Sequence, residues 1–170
     1  MIRPIAEDDA PVISAAFAAI GWDKPVGQFL QYAAQQREGV RECWIALLGG
    51  VFAGYVTLNW HPDYSGLAGS GIPEIEDLNV LPHYRRRHIA TRLLDRAEEA
   101  ARSRSRVVGI GVGLHPGYNA AQRLYVLRGY IPDARGATYR GRFVQQGEQV
   151  RFDDDLVLHF TRELRPDVAG

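Results

Sequence analysis

Two short stretches of the chain hold residues whose types and spacing suit chemistry. The first, Glu74-Ile75-Glu76-Asp77, sets three carboxylates within four residues of a strand-like run that continues through Leu78, Asn79 and Val80. Carboxylates on a central strand are costly unless they are exposed or used. Strand alternation places Glu74 and Glu76 on one face and Asp77 on the other. The second stretch, Arg85-Arg86-Arg87-His88-Ile89-Ala90-Thr91, follows Pro82 and leads into a helical pattern. A helix start offers unpaired N–H groups and partial positive charge, and so holds phosphate. Three arginines in that first turn oppose the helix dipole, and an anionic ligand would relieve the conflict. A solvated basic turn and a nucleic-acid patch are the competing readings.

The elements that must position these residues can be read from periodicity. Ile2 to Ile5 suits a short strand, and Glu7-Asp8-Asp9 followed by Pro11 marks a helix start. Val12, Ile13, Ala16, Phe17 and Ile20 then recur at helical spacing, and Pro25 opens a second helix carrying Val26, Phe29, Leu30 and Ala33. Cys43 to Leu48 and Val51 to Trp60 flank Gly49-Gly50, a hairpin pattern. Residues 61–73 are rich in Gly, Ser and Pro and read as a loop. Glu74 to Val80 is the next strand, and a long helix follows from about Arg86 to Ser103. Its apolar face is Ile89, Ala90, Leu93, Leu94, Ala97, Ala100 and Ala101. Val107 to Leu114 is a strand with Gly109, Gly111 and Gly113 on one face. A bare face of this kind marks the close approach of a ligand or another backbone, or else a helix packed tightly on that face. A helix from Ala120 to Arg128 ends at Gly129, and two strands follow, Thr138 to Val144 and Leu156 to Leu164. The expectation is an α/β fold in a single domain, 1–170.

Composition narrows the class. Of 170 residues, 46% are hydrophobic and 24% charged, enough apolar surface for a core and too much for a disordered chain. Cys43 is the one cysteine, which excludes an internal disulfide and fits a reducing compartment. Met1 to Asp9 carries no signal-like apolar stretch, and no run approaches membrane-spanning length, so a cytoplasmic protein without membrane association is expected. His61, His115 and His159 lack metal-ligand spacing, so no metal is expected. The net charge of +0 hides an uneven distribution. Residues 1–84 carry 4 basic and 10 acidic groups, whereas residues 85–106 carry 8 arginines against 3 carboxylates. That balance opposes binding to long nucleic acid and suits a small anionic ligand. Lys24 is the only lysine, a bias that genome composition can produce without chemistry.

The segment from Leu78 to Thr91 resembles the acetyl-CoA signature of the GNAT N-acetyltransferase superfamily, Q/R-x-x-G-x-G/A after a strand ending V-x-P. Arg85 stands at its first position and Ala90 at its last, with Val80 and Pro82 before them. Ala121-Gln122-Arg123-Leu124-Tyr125-Val126-Leu127-Arg128-Gly129-Tyr130 is similar to the family's A-x-x-L-Y-x-x-x-G-F segment. Both motifs occur in the family's order. Two positions depart: His88 replaces the central glycine, and Tyr118 stands where many members have an asparagine, with Asn119 one position later. His88 can hold helical angles with its ring turned away, or donate to a phosphate oxygen.

The resemblance implies a single mixed, centrally splayed sheet of about six to seven strands with about four helices. It implies acetyl-CoA as acetyl donor, held by the backbone of Leu78, Asn79 and Val80 and by Arg85, Arg86, Arg87, His88, Ile89, Ala90, Thr91 and Asn119. It implies direct attack on the thioester by an amine in a ternary complex. Some members take their base from a glutamate on the strand running into V-x-P, which here offers Glu74 and Glu76. The tyrosine of the second motif, Tyr125, is the expected acid for the departing thiolate, or else a packing residue. The acceptor is a small-molecule or peptide amine, with no nucleic-acid partner, and a homodimer is compatible with this reading. A non-catalytic acyl-CoA-binding module of the same fold is the alternative.

Overall fold

In the computed structural model, which describes residues 1–164, the elements follow the order read from the sequence. They are β1 (Ile2–Pro4), α1 (Asp9–Ala18), α2 (Val26–Glu38), β2 (Arg41–Leu48), β3 (Val51–Asn59), β4 (Glu74–Val80) and α3 (Ile89–Arg102). Then come β5 (Val107–Gly113), α4 (Asn119–Leu127), β6 (Ile131–Tyr139), β7 (Arg142–Phe143) and β8 (Leu156–Glu163). The strands form one mixed sheet in the order β1-β2-β3-β4-β5-β8-β6-β7. The chain divides into two compact units: residues 1–59 with 76–100, and residues 60–75 with those from 101 onward.

In the first unit the hairpin β2–β3 turns on Gly49 and Gly50, both at positive φ (59° and 83°), as a tight two-residue turn requires. Its inner face packs Cys43, Ile45, Phe52 and Tyr55 against Ile13 and Phe17 of α1 and Phe29 and Ala33 of α2. Phe17 stacks on Phe29 and meets Phe52 and Tyr55 edge-on, the offset geometry that aromatic quadrupoles favour. Leu93, Leu94 and Ala97 of α3 are fully buried, as their spacing predicts. The helix nevertheless starts three residues later than expected. Arg86 and His88 sit at φ 61° and 58°, left-handed angles that no α-helix can include. Arg85 to His88 therefore form the approach to α3 rather than its first turn, and His88 does not take the helical angles the sequence allowed.

In the second unit the parallel ladder between β4 and β5 is short, Glu74 to Gly109 and Ile75 to Ile110, as a splayed centre requires. Strands β5, β8 and β6 then pair antiparallel. The glycine face of β5 is filled by the protein itself. A Cβ at Gly109 would strike Leu67, one at Gly111 would crowd Val157 and His159, and one at Gly113 would strike the Tyr118 ring. The neighbours on that face are side chains of the loop before β4, of β8 and of the turn before α4, not the packed helix that the sequence allowed. The sheet also holds eight strands rather than six to seven. The stretch expected as one strand from Thr138 is cut by a turn at Arg140 and Gly141, both at positive φ, while β6 begins earlier, at Ile131.

Backbone approaches closely between β3 and β4 in the first unit. A Cβ at Gly54 would sit 2.5 Å from the Asn79 carbonyl oxygen and 3.1 Å from Val80 Cα. Backbone cannot yield as a side-chain tip can, so Gly54→Ala should cost about 1–3 kcal/mol. A urea midpoint unchanged from wild type would contradict this packing.

Candidate active site

The basic segment is built by a strand that ends abruptly. Leu81 gives its N–H to Ala53 O (2.9 Å), Pro82 then removes the next donor, and a single 3₁₀ turn spans Pro82–Tyr84. Arg85 returns to Val80 O through its Nε (3.3 Å) and lies over the Trp22 ring. Arg86 and His88 are left-handed on either side of Arg87, and such alternation turns successive N–H groups into one anion-binding concavity. Arg92 makes the first helical bond, to His88 O (3.1 Å), so the N–H groups of Ile89, Ala90 and Thr91 are free of intrahelical acceptors. Arg85, Arg86, Arg87 and His88 are exposed, and among the described residues no carboxylate pairs with the three arginines. Left-handed non-glycine residues cost on the order of 1–3 kcal/mol each and gather at ligand-binding turns. The first unit thus contains a strained, cationic loop feeding a helix start.

The three carboxylates of β4 have separate surroundings. Asp77, at φ 54°, breaks the extended alternation from which its face was read. It accepts from five donors: Lys24 Nζ (2.7 Å) and Asn79 Nδ2 (3.0 Å) at Oδ1, and Gln28 Nε2 (2.8 Å), Tyr32 OH (2.9 Å) and Tyr55 OH (2.6 Å) at Oδ2. Burial alone would raise this carboxyl, but the Lys24 charge and the donated hydrogen bonds outweigh it and hold Asp77 below the ordinary range. The same burial, followed by the Asp77 charge, pushes the Tyr55 and Tyr32 phenols up, so both remain protonated donors. Glu76 pairs with Arg41 Nη1 (2.6 Å) and accepts from Asn59 Nδ2 (3.1 Å).

Glu74, in the second unit, is buried and lies 3.0 Å from His159 Nδ1. The other ring nitrogen of His159 meets Thr138 Oγ1 at 3.2 Å, and the ring stacks on Tyr64 with centroids 3.5 Å apart. Tyr64 in turn donates to Asp133. Tyr125 of α4 is buried beside Tyr130, and burial, then Tyr118, pushes its phenol up. Asn119 opens α4 and is exposed.

The first unit therefore brings together Glu76, Leu78 to Val80 and Arg85 to Thr91; Glu74, Tyr125 and Asn119 belong to the second. Sequence reasoning passed over Gln28, Tyr32 and Arg41, and gave Lys24 and His159 no role in the site. A carboxylate on a central strand implies donors from elsewhere in the chain, but not which ones. Among the described residues no group of three metal-ligating side chains occurs, and no helix is long and apolar enough to cross a membrane.

The family model for the acetyltransferase (GNAT) family matches residues 10–130. No curated protein matches the chain in sequence. Among solved structures, an N-acetyltransferase from Staphylococcus aureus Mu50 is 17% identical, covering 97% of this chain and 98% of its own, with a TM-score of 0.72. A Salmonella typhimurium protein described as an acetyltransferase, solved with its cofactor acetyl-CoA, is 18% identical over 100% of this chain and 96% of its own, with a TM-score of 0.69. A ribosomal-protein-alanine N-acetyltransferase from Brucella melitensis is 20% identical over 96% and 99%, also with a TM-score of 0.69. At these identities the likeness is one of fold.

Asp77 yields a prediction about acid stability. Its carboxyl titrates lower in the folded chain than in the unfolded one, so its contribution is complete above pH ~4 and is lost as pH falls below that value. Asn keeps the shape and tolerates left-handed φ, but removes the charge. Asp77→Asn should lose about 2 kcal/mol at pH 7, and its deficit should shrink steadily through the window below pH ~4. A deficit that is constant across that window would contradict a depressed Asp77.

Proposed function

The chain belongs to the acetyltransferase (GNAT) family and is an acyltransferase, and on that premise we propose that it moves acetyl from acetyl-CoA to a primary amine by direct attack in a ternary complex. The observation that carries the reading is the strained approach to α3: left-handed Arg86 and His88, three arginines that no carboxylate among the described residues pairs with, and the open N–H groups of the first helical turn. That combination suits a pyrophosphate, which takes N–H donors and neutralises clustered cations. The N–H groups of Arg86 to Thr91 hold the pyrophosphate, Arg85 to Arg87 supply charge, and His88, at left-handed φ, stands where the family's motif has glycine. The backbone of Leu78 to Val80 pairs with the thioester arm, and Asn119 contacts the cofactor. The work is done by one catalytic domain in the cytoplasm.

In the reaction the amine gives up a proton and its nitrogen lone pair attacks the thioester carbonyl carbon. A C–N bond forms, the C–S bond breaks, and the coenzyme A thiolate leaves and takes a proton. The products are the acetylated amine and free coenzyme A. Glu74 or Glu76 draws the proton from the ammonium, directly or through water. Tyr125 protonates the thiolate: burial pushes its phenol up, so it keeps its proton at neutral pH until the thiolate forms beside it.

An acetyl-CoA titration followed by thiol release over a panel of amines tests the reading. Binding with turnover supports it; binding without turnover on a broad panel points to an acyl-CoA-binding module. Ala90→Asp places a carboxylate at the helix start and should weaken acetyl-CoA binding by about 10-fold or more through clash and like-charge repulsion. An unchanged dissociation constant in the folded variant overturns the placement.

The proton-transfer assignments are tested with a competent amine. Glu74→Gln or Glu76→Gln should lower turnover by about 100- to 10,000-fold and alter the acid-side limb of the pH–rate profile. Tyr125→Phe should leave cofactor affinity nearly unchanged and slow the chemical step by about 10-fold or more. Glutamine variants that both keep wild-type rates across pH would move the base elsewhere, and an undiminished Tyr125→Phe rate would return Tyr125 to packing.

A further inference from the structure

The Asp77 cluster has the composition of an ammonium site, and the ligand it holds is part of the chain. Oδ2 accepts from Gln28 and Tyr32 of α2, both half-buried, and from Tyr55 of β3, which is buried in the core. Among the described residues, Oδ1 accepts from Lys24 and Asn79 alone. The Lys24 ammonium lies 2.7 Å from that oxygen and 5.7 Å from the centroid of the Tyr55 ring, so a carboxylate and an aromatic face contact it together. Lys24 itself belongs to the short connection between α1 and α2. Its side chain and that of Asp77 each keep 21% of their surface open, so the pair can be reached from solvent.

The residue type is informative. Twenty side chains are lysine or arginine, and Lys24 is the single lysine. An arginine would bind a carboxylate with two parallel hydrogen bonds and make the stronger structural clamp. The chain uses arginine for that purpose in the same unit, where Arg3 donates through Nη1 (2.7 Å) and Nη2 (2.6 Å) to the two oxygens of Asp9. Lysine instead presents a primary ammonium on an unbranched methylene stem, which is the chemistry of an alkylamine. The cage is therefore already shaped to such a head group.

We propose that the Asp77–Tyr55 cage is an acceptor-ammonium site that Lys24 fills when no acceptor is bound, and that the acceptor is an unhindered primary alkylammonium which displaces Lys24 from Asp77. The acceptor role rests on the acetyl-transfer reading above; the binding itself does not. A tethered competitor lowers apparent affinity by the fraction of time it occupies the site, so Lys24 sets the affinity threshold for the acceptor. Quaternary ammonium ions lack the N–H that Oδ1 accepts and are excluded.

The experiment reads binding without acetyl-CoA, using n-butylammonium chloride as probe, followed by NMR on folded protein. Lys24→Met keeps the stem and removes the charge, and should tighten binding by about 3- to 10-fold. Lys24→Arg should hold Asp77 more firmly and weaken binding by about 3-fold or more; it carries the test should Lys24→Met not fold. Asp77→Asn should abolish binding, and tetramethylammonium should not bind the wild type. With acetyl-CoA present, Lys24→Met should lower KM for n-butylamine. Equal affinity in the wild type and either lysine variant, or binding that survives Asp77→Asn, overturns the proposal. Retention of these binding shifts in a protein that transfers no acetyl group would overturn the acetyl-transfer reading and leave the cage standing. Turnover on amines with no response to Lys24 would do the reverse.

Discussion

A carboxylate carried into the interior by a strand must be met by donors, and Asp77 organises the first unit around that demand. Burying an ion costs several kcal/mol before compensation, and here compensation arrives from four separate places in the chain. The α1–α2 connection sends Lys24, α2 sends Gln28 and Tyr32, β3 sends Tyr55, and β4 itself sends Asn79. Each donor is correctly placed only if its own element is docked. The aromatic cluster of Phe17, Phe29 and Tyr55 supplies the apolar adhesion that brings those elements together. Hydrophobic packing is non-directional, whereas five hydrogen bonds to one carboxylate admit a single arrangement. The left-handed φ of Asp77 is tolerated because so many partners fix it.

The same strand delivers the second strained segment. After Val80 the chain must leave the sheet, turn, and enter α3 with its apolar face inward, because Leu93, Leu94 and Ala97 are buried. Pro82 and the 3₁₀ turn make the exit, and the left-handed angles at Arg86 and His88 compress the re-entry into four residues. A shorter path from strand to helix holds the open N–H groups close to the strand end. Relaxing it with ordinary angles would lengthen the loop and scatter those donors.

Much of this was legible in the sequence, for identifiable reasons. The 3.6-residue spacing of Ile89, Leu93, Leu94 and Ala97 announces α3, and Gly49-Gly50 announces the hairpin. The strand-to-helix segment through Arg85 and Ala90, with the later run around Tyr125, pointed to the family found by comparison. What stayed hidden are contacts between residues far apart in sequence. Lys24 is 53 positions from Asp77, and His159 is 85 from Glu74, distances at which periodicity carries no information. Local surprises escaped as well. Nothing in the residue types of Arg86, His88 or Arg140 asks for positive φ, since glycine is the usual signal for it. That is why the start of α3 was read too early and the turn cutting Thr138 from Arg142 was not read at all.

The contrast between the two charged clusters of the first unit follows from where their counter-charges lie. Asp77 is neutralised from within: Lys24 lies against it, and the carboxyl is held ionised. Arg85, Arg86 and Arg87 are exposed beside the partial positive charge of a helix start and meet no carboxylate among the described residues. Over the whole sequence the net charge is +0, so this imbalance is one of placement and not of total charge. An uncompensated cationic turn lowers its energy by gathering an anion from solution, and it gains further if that anion also takes the open N–H groups. A compensated carboxylate gains little from any new cation unless the resident one leaves. The arginine cluster is therefore built to attract an anion, whereas the Asp77 cluster admits a new cation only in exchange for Lys24, which is the asymmetry that the proposed polyanionic donor and ammonium acceptor require.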